Sequence, residues 1–186
     1  MGRFVIEGCA YPEYQSEIER FDRISEWAMK SLGEGPSTIV IPTPFEAEGL
    51  LYVAAGYVGD NLKVNKPVYA IRPGGTGDLT LAEGARESAQ IAWMEVNAAP
   101  YNPSPLAHDG RFYVLWDFGF LSCRDARSGR ELYGKQRLKM DGTAGFTASP
   151  WAYRGRVFCL SEDGDTYVVG AGEPYRLERE IGRAHV

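Results

Sequence analysis

Ser104-Pro105-Leu106-Ala107-His108-Asp109-Gly110-Arg111-Phe112-Tyr113-Val114 decides the fold, because the chain writes it three times. Thr43-Pro44-Phe45-Glu46-Ala47-Glu48-Gly49-Leu50-Leu51-Tyr52-Val53 precedes it and Ser149-Pro150-Trp151-Ala152-Tyr153-Arg154-Gly155-Arg156-Val157-Phe158-Cys159 follows it. The three align without gaps. Each has a hydroxyl residue and Pro, a Gly five residues after the Pro, and an aromatic three residues after the Gly. The Pro tolerates the first position of a strand, where its missing N–H costs no ladder bond. The Gly supplies the positive φ of a tight hairpin. The apolar, aromatic-rich run after it reads as a strand buried on both faces. Tyr52, Tyr113 and Phe158 are expected in the core.

Two further strands follow each unit. After the second unit, Asp117–Gly119 forms a turn, 120–124 a strand and Ala126–Gly129 a turn, and another strand starts near Glu131. After the third, Thr166–Val169 is followed by a Gly172-Glu173-Pro174 turn and a strand over 175–178. After the first, the strands are Val68–Ile71 and Ile91–Val96, with turns swollen by Gly56–Pro67 and Arg72–Gln90. Four antiparallel strands recurring in this way are a β-propeller blade. The spacing from Pro44 to Pro105 is 61 residues and from Pro105 to Pro150 is 45. A plain blade takes ~40–45, and the two long loops account for the first excess. An immunoglobulin-like sandwich is the competing architecture, but it does not demand this repeated pattern. The expected class is therefore all-β: an incomplete propeller of three blades, over 38–96, 97–138 and 139–180, plus part of a fourth.

Residues 1–37 allow two readings. Ser16-Glu17-Ile18-Glu19 resembles a capping box opening a helix over 16–32. Alternatively Glu26–Lys30 is the outer strand of a preceding blade: Trp27 lies 17 residues before Pro44, as Tyr133 does before Pro150. Residues 181–186 read as a tail. Natural propellers close with roughly four to eight blades, and seven or eight need about 315–360 residues. The 186 residues therefore suit the C-terminal piece of a longer propeller, an incomplete one that self-associates through open blade edges, or a compact four-blade closure.

Asp117-Phe-Gly-Phe-Leu-Ser-Cys-Arg-Asp125-Ala126-Arg-Ser-Gly129-Arg-Glu-Leu-Tyr133 resembles the repeat of the pyrroloquinoline-quinone (PQQ)-like β-propellers, roughly D-G-x-L-Y-A-L-D-A-x-T-G-K-x-x-W. That family includes quinoprotein dehydrogenases and BamB-like outer-membrane assembly lipoproteins. The resemblance covers about 38–180. Tyr133 stands where the family has a Trp that docks on the next blade, and Trp93 holds that place in the first unit. The resemblance implies a periplasmic or extracytoplasmic location, although the first residues lack the apolar stretch of a signal peptide. It implies either a non-catalytic scaffold, as in envelope protein assembly, or a piece of a PQQ-dependent oxidoreductase. The latter would bring a vicinal Cys pair, a Trp platform and calcium ligands.

The residues favour the scaffold. Cys9, Cys123 and Cys159 include no vicinal pair and no zinc spacing. Cys123 and Cys159 read as buried thiols, or as a disulfide in an oxidising compartment. His108 reads as an exposed turn residue and His185 lies in the tail, so no histidine-based site forms. Glu162-Asp163-Gly164-Asp165 lacks the spacing of a calcium loop. Pro73-Gly74-Gly75-Thr76-Gly77-Asp78 lacks the Lys and the following helix of a phosphate loop. No catalytic, cofactor-binding or metal residue is assigned, and no cofactor is expected. With 20 Lys+Arg against 25 Asp+Glu, no nucleic-acid partner is expected. No apolar run reaches the length of a membrane span. A protein partner is expected instead, on turn-associated aromatics: Trp116, Phe118 and Trp151.

Overall fold

The computed structural model describes residues 41–57, 65–74, 78–138 and 145–182. The two readings of 1–37, together with Cys9, His185 and positions 75–77 of the Gly-rich loop, lie outside the described residues. Three four-stranded antiparallel sheets make up the described chain. The first contains β1 (Phe45–Ala47), β2 (Leu50–Ala54), β3 (Val68–Ile71) and β4 (Ile91–Glu95). The second contains β5 (Leu106–His108), β6 (Arg111–Trp116), β7 (Phe120–Asp125) and β8 (Glu131–Arg137). The third contains β9 (Trp151–Tyr153), β10 (Arg156–Leu160), β11 (Thr166–Gly170) and β12 (Leu177–Ile181). Within each sheet the strands lie in sequence order. These are propeller blades.

Each repeated unit is a first strand, a two-residue turn and a second strand. The turns are Glu48-Gly49 (φ 54° and 74°), Asp109-Gly110 (50° and 70°) and Arg154-Gly155 (47° and 70°). Positive φ at both positions makes them type I′, whose twist matches that of the paired strands. The Ser104 and Ser149 hydroxyls, each before its Pro, join one unit to the next. The Thr43 N–H donates to Ser104 Oγ at 2.9 Å, and the Ser104 N–H donates to Ser149 Oγ at 2.8 Å. The starts of consecutive first strands are thereby tied together, and β4, β8 and β12 form the opposite edges of their sheets.

The core lies between sheets. Tyr52, Trp93, Phe112, Val114 and Ala126 fill the space between the first and second. Tyr113, Cys123, Tyr133, Val157, Cys159 and Tyr167 fill the space between the second and third. The rear face of the first sheet, with Leu51, Val53, Tyr69 and Ile91, packs against Leu79 and Leu81 of its own β3–β4 connection.

Three sequence readings change. Tyr52 and Tyr113 are buried, but Phe158 is only half-buried. Directly opposed residues of antiparallel strands share a face, and Phe158 lies opposite Trp151 on the side of the third sheet that faces no described sheet. For the same reason β10 is buried on one face only. The last strand starts at Leu177, after a longer turn than expected, and runs to Ile181, which pairs with Thr166. It thus enters the segment read as a tail. His108 ends β5 instead of sitting in the turn, with its Nε2 3.3 Å from Asp109 Oδ2.

Asp125 holds the 126–129 turn. Its Oδ1 accepts from the Ser128 hydroxyl at 2.7 Å and from the Ser128 N–H at 2.8 Å. The hydroxyl, then the N–H, hold the carboxyl below its usual range. A pKa depressed by folding stabilises the fold above the unfolded Asp range, and that contribution is lost as pH falls through the folded value. Asp125→Asn is expected to be less stable near neutrality and to lose less stability than wild type on acidification. Urea unfolding at pH 7 and pH 3 measures this, and parallel pH profiles would refute it.

Candidate functional site

No catalytic constellation assembles from the described residues. Cys123 in β7 and Cys159 in β10 are free and buried. Burial pushes each thiol up to about 12. Tyr113, Tyr133 and Tyr175 surround them, with burial raising each phenol. Raised thiols in apolar surroundings are inert. Cys123 and Cys159 are expected to stay unmodified by iodoacetamide at pH 8 in the folded protein and to react fully in guanidinium chloride, as read by peptide mass spectrometry. Rapid native labelling of either would show that the space between the second and third sheets opens.

Among the described residues no donor set for a quinone and its metal comes together. The two thiols are not vicinal, and no group of three His, Cys, Asp or Glu side chains fit to hold a metal occurs among the described residues. Glu162–Asp165 forms the β10–β11 turn, closed by the Ser161 N–H to Asp165 O at 2.9 Å and the Gly164 N–H to Ser161 O at 3.0 Å. The described tryptophans are all engaged by the chain itself. The Trp93 Nε1–H donates to Ala126 O at 2.8 Å. Trp116 lies under the Lys135 ammonium, and Trp151 stacks on Phe158.

The three aromatics expected to meet a partner occupy different settings. Trp116, at the end of β6, is half-buried. Its Nε1–H donates to Ser122 Oγ at 3.1 Å, and Lys135 Nζ lies 3.4 Å from the ring centroid. A cavity of about 200 Å³ opens beside them. Desolvation, then the neighbouring Lys66, lower the Lys135 pKa. Phe118, in the β6–β7 turn, is 66% exposed. Trp151, at the start of β9, is 43% exposed and parallel to Phe158 at 5.4 Å.

Pairing register reveals a larger surface around Trp151. Trp151, Phe158, Val168 and Arg179 lie opposite one another in turn across the third sheet. Tyr153 with Arg156, and Thr166 with Ile181, form the rows on either side. Side chains of opposed residues project to one face, so all three rows share it. Tyr153 is 57% exposed and Ile181 46%. Scattered exposed apolar residues need no explanation, but neighbouring ones, as Trp151 and Tyr153 are on β9, mark a candidate interaction site, with Ile181 at the opposite edge of the sheet on β12. Sequence reasoning found Trp151 and missed Tyr153, Ile181 and Arg179, whose common face depends on register. The i, i+2 spacing of Trp151 and Tyr153 was the available signal.

No protein-family model matches the chain, and no curated protein matches it. Among solved structures, the quinohemoprotein alcohol dehydrogenase from Comamonas testosteroni is similar, with 19% identity and a TM-score of 0.56 over 81% of this chain and 22% of that one. A europium-containing methanol dehydrogenase is similar at 17% identity and TM-score 0.46, over 69% of this chain and 22% of that one. BamB from Moraxella catarrhalis is similar at 13% identity and TM-score 0.46, over 78% and 37%. The chain thus spans 22% to 37% of the length of these structures. With its three sheets and the likeness to the alcohol dehydrogenase, the chain has the fold of the PQQ-like β-propellers.

Proposed function

We propose that this chain is a non-catalytic binding platform, a rigid set of propeller blades that holds a protein partner. The observation that carries the reading is the aromatic face of the third sheet, where Trp151 and Tyr153 stand exposed two residues apart on β9 and Trp151 stacks on Phe158. Large aromatics on a rigid scaffold give contact area at low entropic cost and dominate interface energies. The contact belongs to this face and not to the strand edge. β12 presents Glu178, Arg179 and Glu180 in succession, and charged edge strands resist strand addition. The family resemblance adds an extracytoplasmic setting, with envelope protein assembly as the process served. No helix among the described residues is long and apolar enough to cross a membrane.

The test uses the full chain as bait in extracts of its source cells. Trp151→Ala is expected to lose a partner that wild type retains, at an unchanged melting temperature. Phe118→Ala reports separately on the β6–β7 turn. Retention of every bound protein by both variants would refute the platform.

A further inference from the structure

The two occupied spaces between sheets show how this chain locks one blade to the next, and the outward face of the third sheet departs from both. In the first space the Tyr52 hydroxyl and the Trp93 Nε1–H both donate to Ala126 O, at 2.9 and 2.8 Å. In the second the Tyr113 hydroxyl accepts from the Gly172 N–H at 3.0 Å, and Tyr133 packs edge-on against Tyr175 at 5.6 Å. Register places Phe158 where Tyr52 and Tyr113 stand, since each is the second-strand member of its row. It places Arg179 where Trp93 and Tyr133 stand, on the outer strand of that row. The third face thus has neither the hydroxyl nor the docking ring of the blade lock. It carries an aromatic stack and a guanidinium.

The charge of this face runs against that of the chain. Arg154 and Arg156 flank Tyr153 at one end of the face, Arg176 reaches Glu178, and Arg179 lies opposite Val168 on the outer strand. Arg154 Cζ lies 5.0 Å from the Tyr153 ring centroid. Glu178 is engaged from within: its Oε2 accepts from Arg156 Nε at 2.7 Å and its Oε1 from Arg176 Nη2 at 2.5 Å. One carboxylate shared by two guanidiniums leaves a surplus of positive charge at the Tyr153 end of the face, on a chain whose net charge is −5, while Asp163 and Asp165 stand in the β10–β11 turn at the Ile181 end. Glu178 sits at the irregularity where β12 slips between Val168 and Val169. That slip puts its carboxylate close to Gly170, where an added Cβ would lie 3.1 Å from Oε1.

Resting on the platform reading above, we propose that this face takes an acidic protein segment with apolar anchors. The anchors cover the Trp151–Phe158 stack, and carboxylates meet Arg179 and the arginines around Tyr153. Electrostatic complementarity of this kind fixes partner choice and speeds encounter. Aromatic and arginine side chains are the residues in which interface energy concentrates.

The experiment measures fluorescence anisotropy of three labelled octapeptides with the full 186-residue chain. The first is Glu-Glu-Phe-Glu-Glu-Leu-Glu-Glu. The second has Lys for each Glu, and the third has Ser for the Phe and Leu. The first is expected to bind most tightly and to weaken with added salt. Trp151→Ala and Arg179→Glu, both at exposed positions, are each expected to weaken it at least about tenfold, a loss of about 1.4 kcal/mol, with melting unchanged. Equal binding of the Lys or Ser peptide, lost in Trp151→Ala, overturns the acidic partner and keeps the platform. An equally tight, Arg179-dependent complex with a single-stranded oligonucleotide overturns both the acidic segment and the protein-binding platform. A dimer of the free chain that dissociates in Trp151→Ala makes a second copy the occupant and overturns the proposal. Failure of all three peptides overturns the acidic segment, and the platform then stands or falls on the retention of bound proteins by Trp151→Ala and Phe118→Ala.

Discussion

Trp93→Ala is expected to lower the stability of the chain by about 3–5 kcal/mol, the cost of truncating a buried aromatic. Trp93 is 5% exposed, although it belongs to the outer strand of the first sheet. Its ring meets Phe112 edge-on at 5.6 Å and lies against Gly129 of the second sheet's turn. Its Nε1–H shares Ala126 O with the Tyr52 hydroxyl. That carbonyl is itself fixed, because the Ala126 N–H donates to Gly110 O at 2.9 Å. At roughly 2–4 °C per kcal/mol for a domain of this size, melting should fall by about 10 °C or more. Trp93→Phe keeps a ring but loses a hydrogen bond worth about 1 kcal/mol, and the carbonyl keeps Tyr52, so it should cost much less. A Cβ at Gly129 would lie 2.7 Å from the indole. Gly129→Ala should therefore destabilise wild type more than it destabilises Trp93→Ala, and a double-mutant cycle reads that coupling. Additive losses would show that the two residues do not lock the sheets together.

The same lock shows which parts of the fold a single sequence carries. The strand–turn–strand unit was legible because its determinants are local: a Pro that begins a strand and a Gly that completes a type I′ turn. The equivalence of Trp93 and Tyr133 came from the resemblance to the family repeat, and register places the two alike, opposite Ala70 and Cys123. The depth at which Phe158 sits was not. Its flanking sequence matches that around Tyr113, and only the presence of a neighbouring sheet separates a buried ring from a half-buried one. The hydroxyl residue before each Pro was visible as a repeat, but the work of the Ser104 and Ser149 hydroxyls is a contact 61 and 45 residues away. Arg179 escaped for a third reason. A one-residue slip between β11 and β12 decides which of Glu178 and Arg179 lies opposite Val168, and a charged outer strand has no apolar alternation to reveal it. Asp117 was read as an ordinary turn residue. Its carboxylate accepts from the Tyr101 and Asn102 N–H groups at 2.8 and 2.9 Å, pinning the connection that enters the second sheet.

That pinned connection sets the second large effect. Gly56→Ala is expected to cost about 3 kcal/mol or more, at or above the top of the usual range for overpacking. A Cβ at Gly56 would lie 1.7 Å from Pro100 O, 2.2 Å from Pro100 C and 2.6 Å from Tyr101 N. All three are backbone atoms, so no side chain can swing aside. The segment cannot retreat as a unit either. The Ala98 and Ala99 N–H groups both donate to Lys66 O, at 2.8 and 2.9 Å, on one side of Pro100. Asp117 holds Tyr101 and Asn102 on the other. Gly49→Ala is the control. Its Cβ would meet nothing within 4 Å, so only the φ of +74° counts against it, about 1–2 kcal/mol. Removing one clamp should let the connection yield, so Gly56→Ala should cost less in an Asp117→Ala background than in wild type. Urea unfolding of the two single variants and the double variant measures this directly. If Gly56→Ala costs no more than Gly49→Ala, the link between the first and second blades is pliant, and the blades are not held as one rigid body.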